Sequence, residues 1–364
     1  MNLATNTGKA PNTLPTGAQI GQLAEPNIVS GTDKPELSPA ELARPFATAS
    51  RPHALFQFTN AILLYAVAMY LMFAVLPVSY GLTLLIAPIA IIGHLRLLII
   101  GHDCAHRSFM PTRLENTLIG NTLGVLTNTP LLYWASQHIA HHRTTGDLDR
   151  RGSGDVLIMT AEEYDNSSEW DRMWYRMHRN PWILMLIFAP IHFVFMQRLP
   201  LEHKPASKEI WRSVLGTNVG ICLYYGLVIW LVGLVPFLMV YVPVVLFSST
   251  GAVWLFYMQH QFEDAYWERS ENWEYDKATF EGSSFYDLPR WGHWLCANIS
   301  YHHIHHLNPR IPNYKLPACY ASNPALQEAK AIRFWESLKL TRLALWDENA
   351  KRLISFKEHK QHKG

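Results

Sequence analysis

The sequence predicts an all-α membrane protein, in which four transmembrane helices form two hairpins and a helical cap sits on one side of the bilayer. Three observations predict it. Only 16% of the 364 residues are charged and 49% are hydrophobic, whereas ordinary soluble domains carry roughly 25% charged residues. Four apolar runs reach the length of about 20 residues that a helix needs to cross a hydrocarbon core. The runs also come in two pairs whose tight turns lack Lys and Arg, while the connecting segments hold many.

Residues 1–50 are rich in Thr, Ala, Pro and Gly and lack the continuous apolar core of a signal peptide. They read as a disordered cytosolic arm, ahead of one membrane domain over residues 51–355. Residues 55–78 are apolar apart from Gln57, Thr59 and Asn60, and a helical rise of about 1.5 Å per residue carries them across a core of roughly 30 Å. After a short turn at 79–81, residues 82–100 return, interrupted by His94 and Arg96 near their end. Residues 117–134 carry Asn121, Thr122, Asn128 and Pro130, and residues 182–196 are short and contain Pro190 and His192. One crossing by either would put every later segment on the wrong side, so both are expected in the interface or partly re-entrant. The second pair spans 215–233 and 235–258, and a basic tail, expected to be solvated, occupies 356–364. Arg143, Arg150, Arg151, Arg172, Arg176, Arg179, Arg198, Lys204, Lys208 and Arg212 lie between the pairs. The positive-inside rule then places both termini and the central segment in the cytosol. Cys104, Cys222, Cys296 and Cys319 show no CxxC spacing and fit a reduced, cytosol-facing protein. A net charge of +2 with no basic stripe excludes nucleic acid as the partner.

Eighteen histidines are the anomaly. Positions i, i+3 and i+4 of a helix project from one face. His102 and His106 form such a pair, His138, His141 and His142 a triad in HIAHH, and His302, His305 and His306 a second triad in HHIHH. Random placement of this many histidines would give about 0.04 copies of HxxHH per chain, so two copies are no accident. The expected topology puts all eight on the cytosolic face, with His260 emerging from the fourth span as a ninth. Neutral imidazole suits Fe, Zn, Cu and Ni, and nine exceed what one ion of four to six coordination uses. A pair of metal ions is the natural count. A structural zinc site would close with four ligands, and a bis-histidine haem would use isolated histidines facing each other across spans. His303 lies off the axis of its triad and reads as a neighbour, and His94 as a packing residue within the bundle.

With the boxes HDCAH, HIAHH and HHIHH on the page, the chain resembles the integral-membrane fatty acid desaturases over roughly residues 50–355. The runs GDLDRRGSGD at 146–155, FEGSSFYDLP at 280–289, HHLNPRIPNY at 305–314 and LALWDE at 343–348 resemble the bacterial delta-12 (omega-6) acyl-lipid branch. The resemblance implies a non-haem di-iron centre, two iron ions with O2, that removes two hydrogens from adjacent methylenes of a membrane lipid acyl chain and leaves a cis double bond. It implies a multi-pass protein of a bacterial inner membrane with its site on the cytosolic side. The family's ligands fall on His102, His106, His138, His141, His142, His302, His305 and His306, and its additional histidine on His260. In some acyl-CoA relatives an Asn four residues ahead of that histidine joins through water; here the position is Phe256, and Asn298 is a candidate polar substitute.

An unactivated methylene offers no acid, base or leaving group, so a redox metal with oxygen must supply the oxidant. Metal-bound histidines donate their other ring N–H to a carboxylate or carbonyl, and Asp103, Asp147, Asp149, Asp155, Glu263 and Asp264 are the nearby candidates. No His-Pro-Gly-Gly segment is present, so electrons are expected from a separate donor protein such as a ferredoxin or cytochrome. Two other readings have distinct signatures. A hydroxylase or ketolase with the same boxes would leave oxygenated product, and a non-enzymatic metal-binding protein would need polar groups along its spans, which are few.

Overall fold

A computed structural model describes residues 37–152, 154–201 and 206–363; most of the expected N-terminal arm lies outside them. The folded body begins earlier than residue 51. Helix α1 (Pro39–Ala43) is closed by a capping box between Ser38 and Glu41, and Ala43 is fully buried in a cluster with Ile304, Ile311 and Leu326. Helices α2 (Arg51–Val75) and α3 (Tyr80–His106) form the first hairpin, with the Ser79 hydroxyl accepting from the Leu82 N–H to start α3. Their approach is close: a Cβ on Gly93 would lie 2.8 Å from the Tyr65 backbone, so only glycine fits. The hairpin's inner face buries Met72, Leu97 and Ile100 against Leu123, Val240 and Val244. Helix α3 continues past residue 100, where the apolar run ends, and stops at Arg107, whose φ of 58° turns its N–H back to the Asp103 and Cys104 carbonyls. That extra length carries the first histidine pair.

Helices α4 (Arg113–Leu126) and α5 (Leu131–Thr144) follow, joined by a turn in which Asn128 adopts φ 60°. Buried backbone groups freed by a turn need side-chain partners. They have them here. His94, on α3, donates to the Leu126 carbonyl at 3.0 Å, Tyr225 donates to the Asn128 side-chain oxygen at 2.8 Å, and Arg198 donates to the Asn128 carbonyl. Arg198 also holds the Asn218 side-chain oxygen at 2.9 Å. Arg198→Leu would leave the buried Asn128 carbonyl without this donor, which costs about 1–3 kcal/mol. A lower thermal unfolding midpoint in detergent, measured beside wild type, is the expected result.

Beyond α6 (Ala161–Asn166) and α7 (Glu169–His178) lies α8 (Pro181–Arg198), an irregular helix with a π segment at Leu184–Phe188 and a 3₁₀ end at Met196–Arg198. Helices α9 (Lys208–Val232) and α10 (Leu234–His260) follow, joined at Gly233. Among the described residues five helices, α2, α3, α8, α9 and α10, are long and apolar enough to cross a membrane, one more than the four expected spans. The addition is α8, which the sequence reading had placed in the interface.

The cap is not wholly helical. Strands β1 (Met159–Thr160), β4 (Leu343–Asp347) and β5 (Arg352–Ser355) form a sheet in the order β1-β4-β5, with β1 parallel and β5 antiparallel to β4. Strands β2 (Phe285–Asp287) and β3 (Ala331–Arg333) pair in parallel. Each has five residues or fewer, too few for a two-residue alternation to stand out in the sequence. The remaining helices are α11 (Tyr275–Glu281), α12 (Arg290–Leu295), α13 (His302–Leu307), α14 (Leu316–Ser322), α15 (Phe334–Leu340) and α16 (Phe356–Lys363). Helix α16 departs from the expected solvated tail. It docks through His359, 2.9 Å from the Asp165 carboxylate, and through an ion pair between Arg352 and Glu358.

Candidate metal centre

Four helices deliver the nine candidate histidines: α3 brings His102 and His106, α5 brings His138, His141 and His142, α10 ends on His260, and α13 brings His302, His305 and His306. They converge in two adjoining groups. His102, His106, His138, His142 and His305 form one, and His141, His260, His302 and His306 the other, and in each group one ring nitrogen from every residue lies within 4.8 Å of the others.

Each triad is split between the groups. In HIAHH the pair His138 and His142 enters the first group and His141 the second; in HHIHH the pair His302 and His306 enters the second and His305 the first. Helix geometry explains the division. At 3.6 residues per turn, i+4 lies about 40° from i on one side and i+3 about 60° on the other, so a triad serves two neighbouring points better than one. The sequence reading had each triad pointing at one place.

The residues fit metal ions. The Nε2 atoms of His138 and His305 each lie 3.0 Å from that of His142, and those of His302 and His141 lie 2.9 and 3.2 Å from that of His260. Imidazole nitrogens facing one another in such numbers cannot all be paired by their own hydrogens. His102 Nε2, His106 Nε2 and both nitrogens of His306 are buried with no hydrogen-bond partner. A cation shared by their lone pairs satisfies what protein groups leave open. Burial, reinforced by neighbouring imidazoles, pushes His138, His142, His302, His305 and His306 well below the usual imidazole pKa. They are therefore neutral at pH 7, the form that binds metal.

Three outward-facing nitrogens have oriented partners. His102 Nδ1 lies 3.0 Å from the Asp103 carboxylate, His141 Nδ1 pairs with Asp155, and His260 Nδ1 lies 3.0 Å from the Gly282 carbonyl. Asp103 is fixed in turn by the Asn313 N–H at 2.7 Å. The other carboxylate candidates are engaged elsewhere: Asp147 with Arg150 and Ser270, Asp149 with Arg269, Glu263 with Arg352 and Asp264 with Lys330. Asn298 is not on the helical face of His302, because α13 starts only at His302 and Asn298 sits in the preceding turn at φ 62°. His303 lies outside both groups, 3.0 Å from the Leu326 carbonyl. The Gly282 carbonyl and Trp134, whose ring stacks on His138 at 4.6 Å, escaped the sequence reading. A backbone carbonyl carries no residue signal, but Trp134 stands four residues before His138 and could have been found by helical spacing. Phe256 packs on the rings of His141 and His260 at 5.0 and 5.1 Å.

A cavity of about 540 Å³ opens against both groups, touching His102, His138 and His302, and its walls include Leu98, Ile99, Phe193 and Phe256. Its size and apolar lining with a few convergent polar groups are those of a small-molecule site.

A family model described as "Fatty acid desaturase" matches residues 79–337. The chain is 39% identical over 312 residues to a fatty acid desaturase of Bacillus subtilis (strain 168), covering 86% of this chain and 88% of that one. It is 28% identical over 278 residues to an sn-1 oleoyl-lipid 12-desaturase of a Picosynechococcus species, covering 72% and 76%. It is also 28% identical over 239 residues to a chloroplastic omega-6 fatty acid desaturase of Spinacia oleracea, covering 63% of this chain and 50% of the plant protein.

Proposed function

The chain belongs to the fatty acid desaturase family, and from that premise we propose that it inserts a cis delta-12 (omega-6) double bond into acyl chains of membrane lipids. The observation that carries the reading is the pair of buried imidazole groups at the wall of an apolar cavity. In this reading all nine histidines are ligands of a non-haem pair of iron ions. Bound iron would supply, with O2, the oxidising power to take hydrogen from an unactivated methylene, which acid or base side chains lack. The protein's part is to hold and to exclude. Asp103, Asp155 and the Gly282 carbonyl fix ring orientation, while Leu98, Ile99 and Phe256 keep water from the acyl chain. Electrons reach the site from a separate ferredoxin or cytochrome on the cytosolic side. The relatives named for the 12-position and for omega-6 support the regiochemistry.

Convergence also supports four spans. Helices α3 and α10 both end at the metal groups, so the chain between them crosses the bilayer an even number of times. Helices α9 and α10 already supply two crossings. In this reading α8 stays in the interface and the site faces the cytosol of a bacterial inner membrane. Expression in a host whose lipids are only monounsaturated is expected to yield diunsaturated chains, with the new bond located by mass spectrometry. Hydroxylated or ketolated product without a new double bond would overturn the reading.

A further inference from the structure

The segment 266–282 of the cap reaches the second histidine group at two points. The carbonyl of Gly282, the residue that caps α11, lies 3.0 Å from His260 Nδ1. The Trp273 indole N–H donates to the Thr145 carbonyl at 3.0 Å, and Thr145 in turn donates to the His141 carbonyl through its N–H at 2.8 Å and its hydroxyl at 2.7 Å. Tyr266 packs between these contacts, so close to Gly146 that a Cβ there would lie 2.7 Å from the Tyr266 carbonyl and 3.0 Å from its ring. A cavity of about 10 Å³ is all that lies between His141, His260, Tyr266 and Trp267, room for at most about one water.

The same segment opens outward. Trp273 is half-buried, and the ring of Tyr275, 47% exposed, has its centroid 6.0 Å away. The Arg150 guanidinium covers one face of Trp273 at 4.8 Å from the ring centroid. The indole is thus fixed by its N–H and by its face, and it joins the surface of the cap to the end of α5. Aromatic side chains with a polar edge are those that protein interfaces favour.

In the desaturase reading each turnover reduces O2 to two waters, with two hydrogens drawn from the acyl chain and two electrons and two protons from outside. The carrier that brings the electrons stays at the surface, whereas His141 and His260 are buried. Electron tunnelling weakens steeply across gaps, so bonded and hydrogen-bonded groups carry it best. Trp273, Thr145 and the backbone of α5 are such a chain. Between the two groups, the rings of His142 and His306 stack at 4.2 Å.

We propose that electrons enter at Trp273 and pass through Thr145 and α5 to the second histidine group, delivered by a one-electron carrier protein that docks over Trp273 and Tyr275. This deepens the desaturase reading and rests on it.

The test follows iron reduction by stopped-flow absorbance in the iron-loaded enzyme, without oxygen or lipid substrate. Reduced plant-type ferredoxin and a reduced soluble b-type cytochrome are the protein donors. Dithionite-reduced methyl viologen, which needs no docking surface, is the control. With whichever protein reduces wild type, Trp273→Leu is expected to slow the reaction at least tenfold while the viologen rate stays within twofold. Trp273→Phe, which keeps a ring but loses the N–H to Thr145, is expected to fall between. Trp335→Leu, which removes a tryptophan 74% exposed on α15, should behave as wild type. Protein-driven reduction of Trp273→Leu within twofold of wild type overturns entry at this ring, and so does equal slowing with viologen, which would leave Trp273 a support of the fold alone. Wild type that viologen reduces and neither protein does overturns delivery by a carrier. Wild type that a protein donor reduces, but that forms no new double bond in oleoyl-lipid vesicles under oxygen, would remove the desaturase reading and leave the entry point standing.

Discussion

Replacing His141 with alanine is expected to bring diunsaturated product below detection and to release about half the bound iron. The second metal group has four histidines, and His141 contributes the nitrogen 3.2 Å from that of His260. Its loss leaves three imidazoles and a buried Asp155 carboxylate without its partner. The first group keeps all five of its histidines, so iron should fall and not vanish. His303→Ala is the matched control. That residue is equally buried and lies beside His302, but its contact is the Leu326 carbonyl and not either group. The control is expected to lose stability while keeping iron and product. Metal analysis and fatty acid profiling of both variants, on protein of confirmed fold, separate the outcomes. Full iron and product in His141→Ala would remove His141 from the site, and zinc without iron in active wild-type protein would sink the di-iron assignment.

The sequence displayed the histidines because helical spacing is visible in one dimension, and it displayed the spans because apolar length is. What it hid depends on the third dimension or on the backbone. The angular split of each triad was latent in its i, i+3, i+4 spacing, but that two separate groups receive it follows from how the four helices are placed. Of the carboxylates near the boxes, Asp103 and Asp155 touch histidines and Asp147 does not, although Asp147 stands closer to His142 in the chain. The loop carrying Asp155 folds back onto α5, and the intervening run spends Asp147 and Asp149 on Arg150 and Arg269. The Gly282 carbonyl had no side chain to announce it. Helix α8 reads as too short because the apolar run 182–196 stops before the helix does: with Pro181, Gln197 and Arg198 it reaches 18 residues, long enough by length and composition to cross, although Pro190 and His192 interrupt it. The turn between α4 and α5 is an instance of the same limit. His94 reads as a packing residue in the bundle and Arg198 only as one of the basic residues between the pairs, and only the fold shows that they satisfy carbonyls of that turn.

Asp155→Asn is expected to weaken iron binding about 10- to 100-fold, the range typical of losing an outer partner of a metal-bound histidine. The amide oxygen can still accept from His141 Nδ1, so the change removes charge and leaves the contact's shape. A carboxylate makes the imidazole a stronger donor through its other nitrogen, and His141 is one of only four histidines in its group. The loop allows little compensation. Gly154 stands at φ 71°, where a Cβ would come within 2.8 Å of the Gln137 carbonyl and 3.3 Å of His141, so the backbone beside Asp155 is pressed against α5. For that reason Asp155→Glu, which keeps the charge but adds a methylene, is expected to fall short of wild type as well. Chelator competition against each variant measures the affinity, and product formed per bound iron, at saturating iron, separates binding from turnover. An iron affinity within twofold of wild type in Asp155→Asn would show that the contact orients nothing, and the role would pass to Thr145, whose hydroxyl lies 3.4 Å from the same nitrogen.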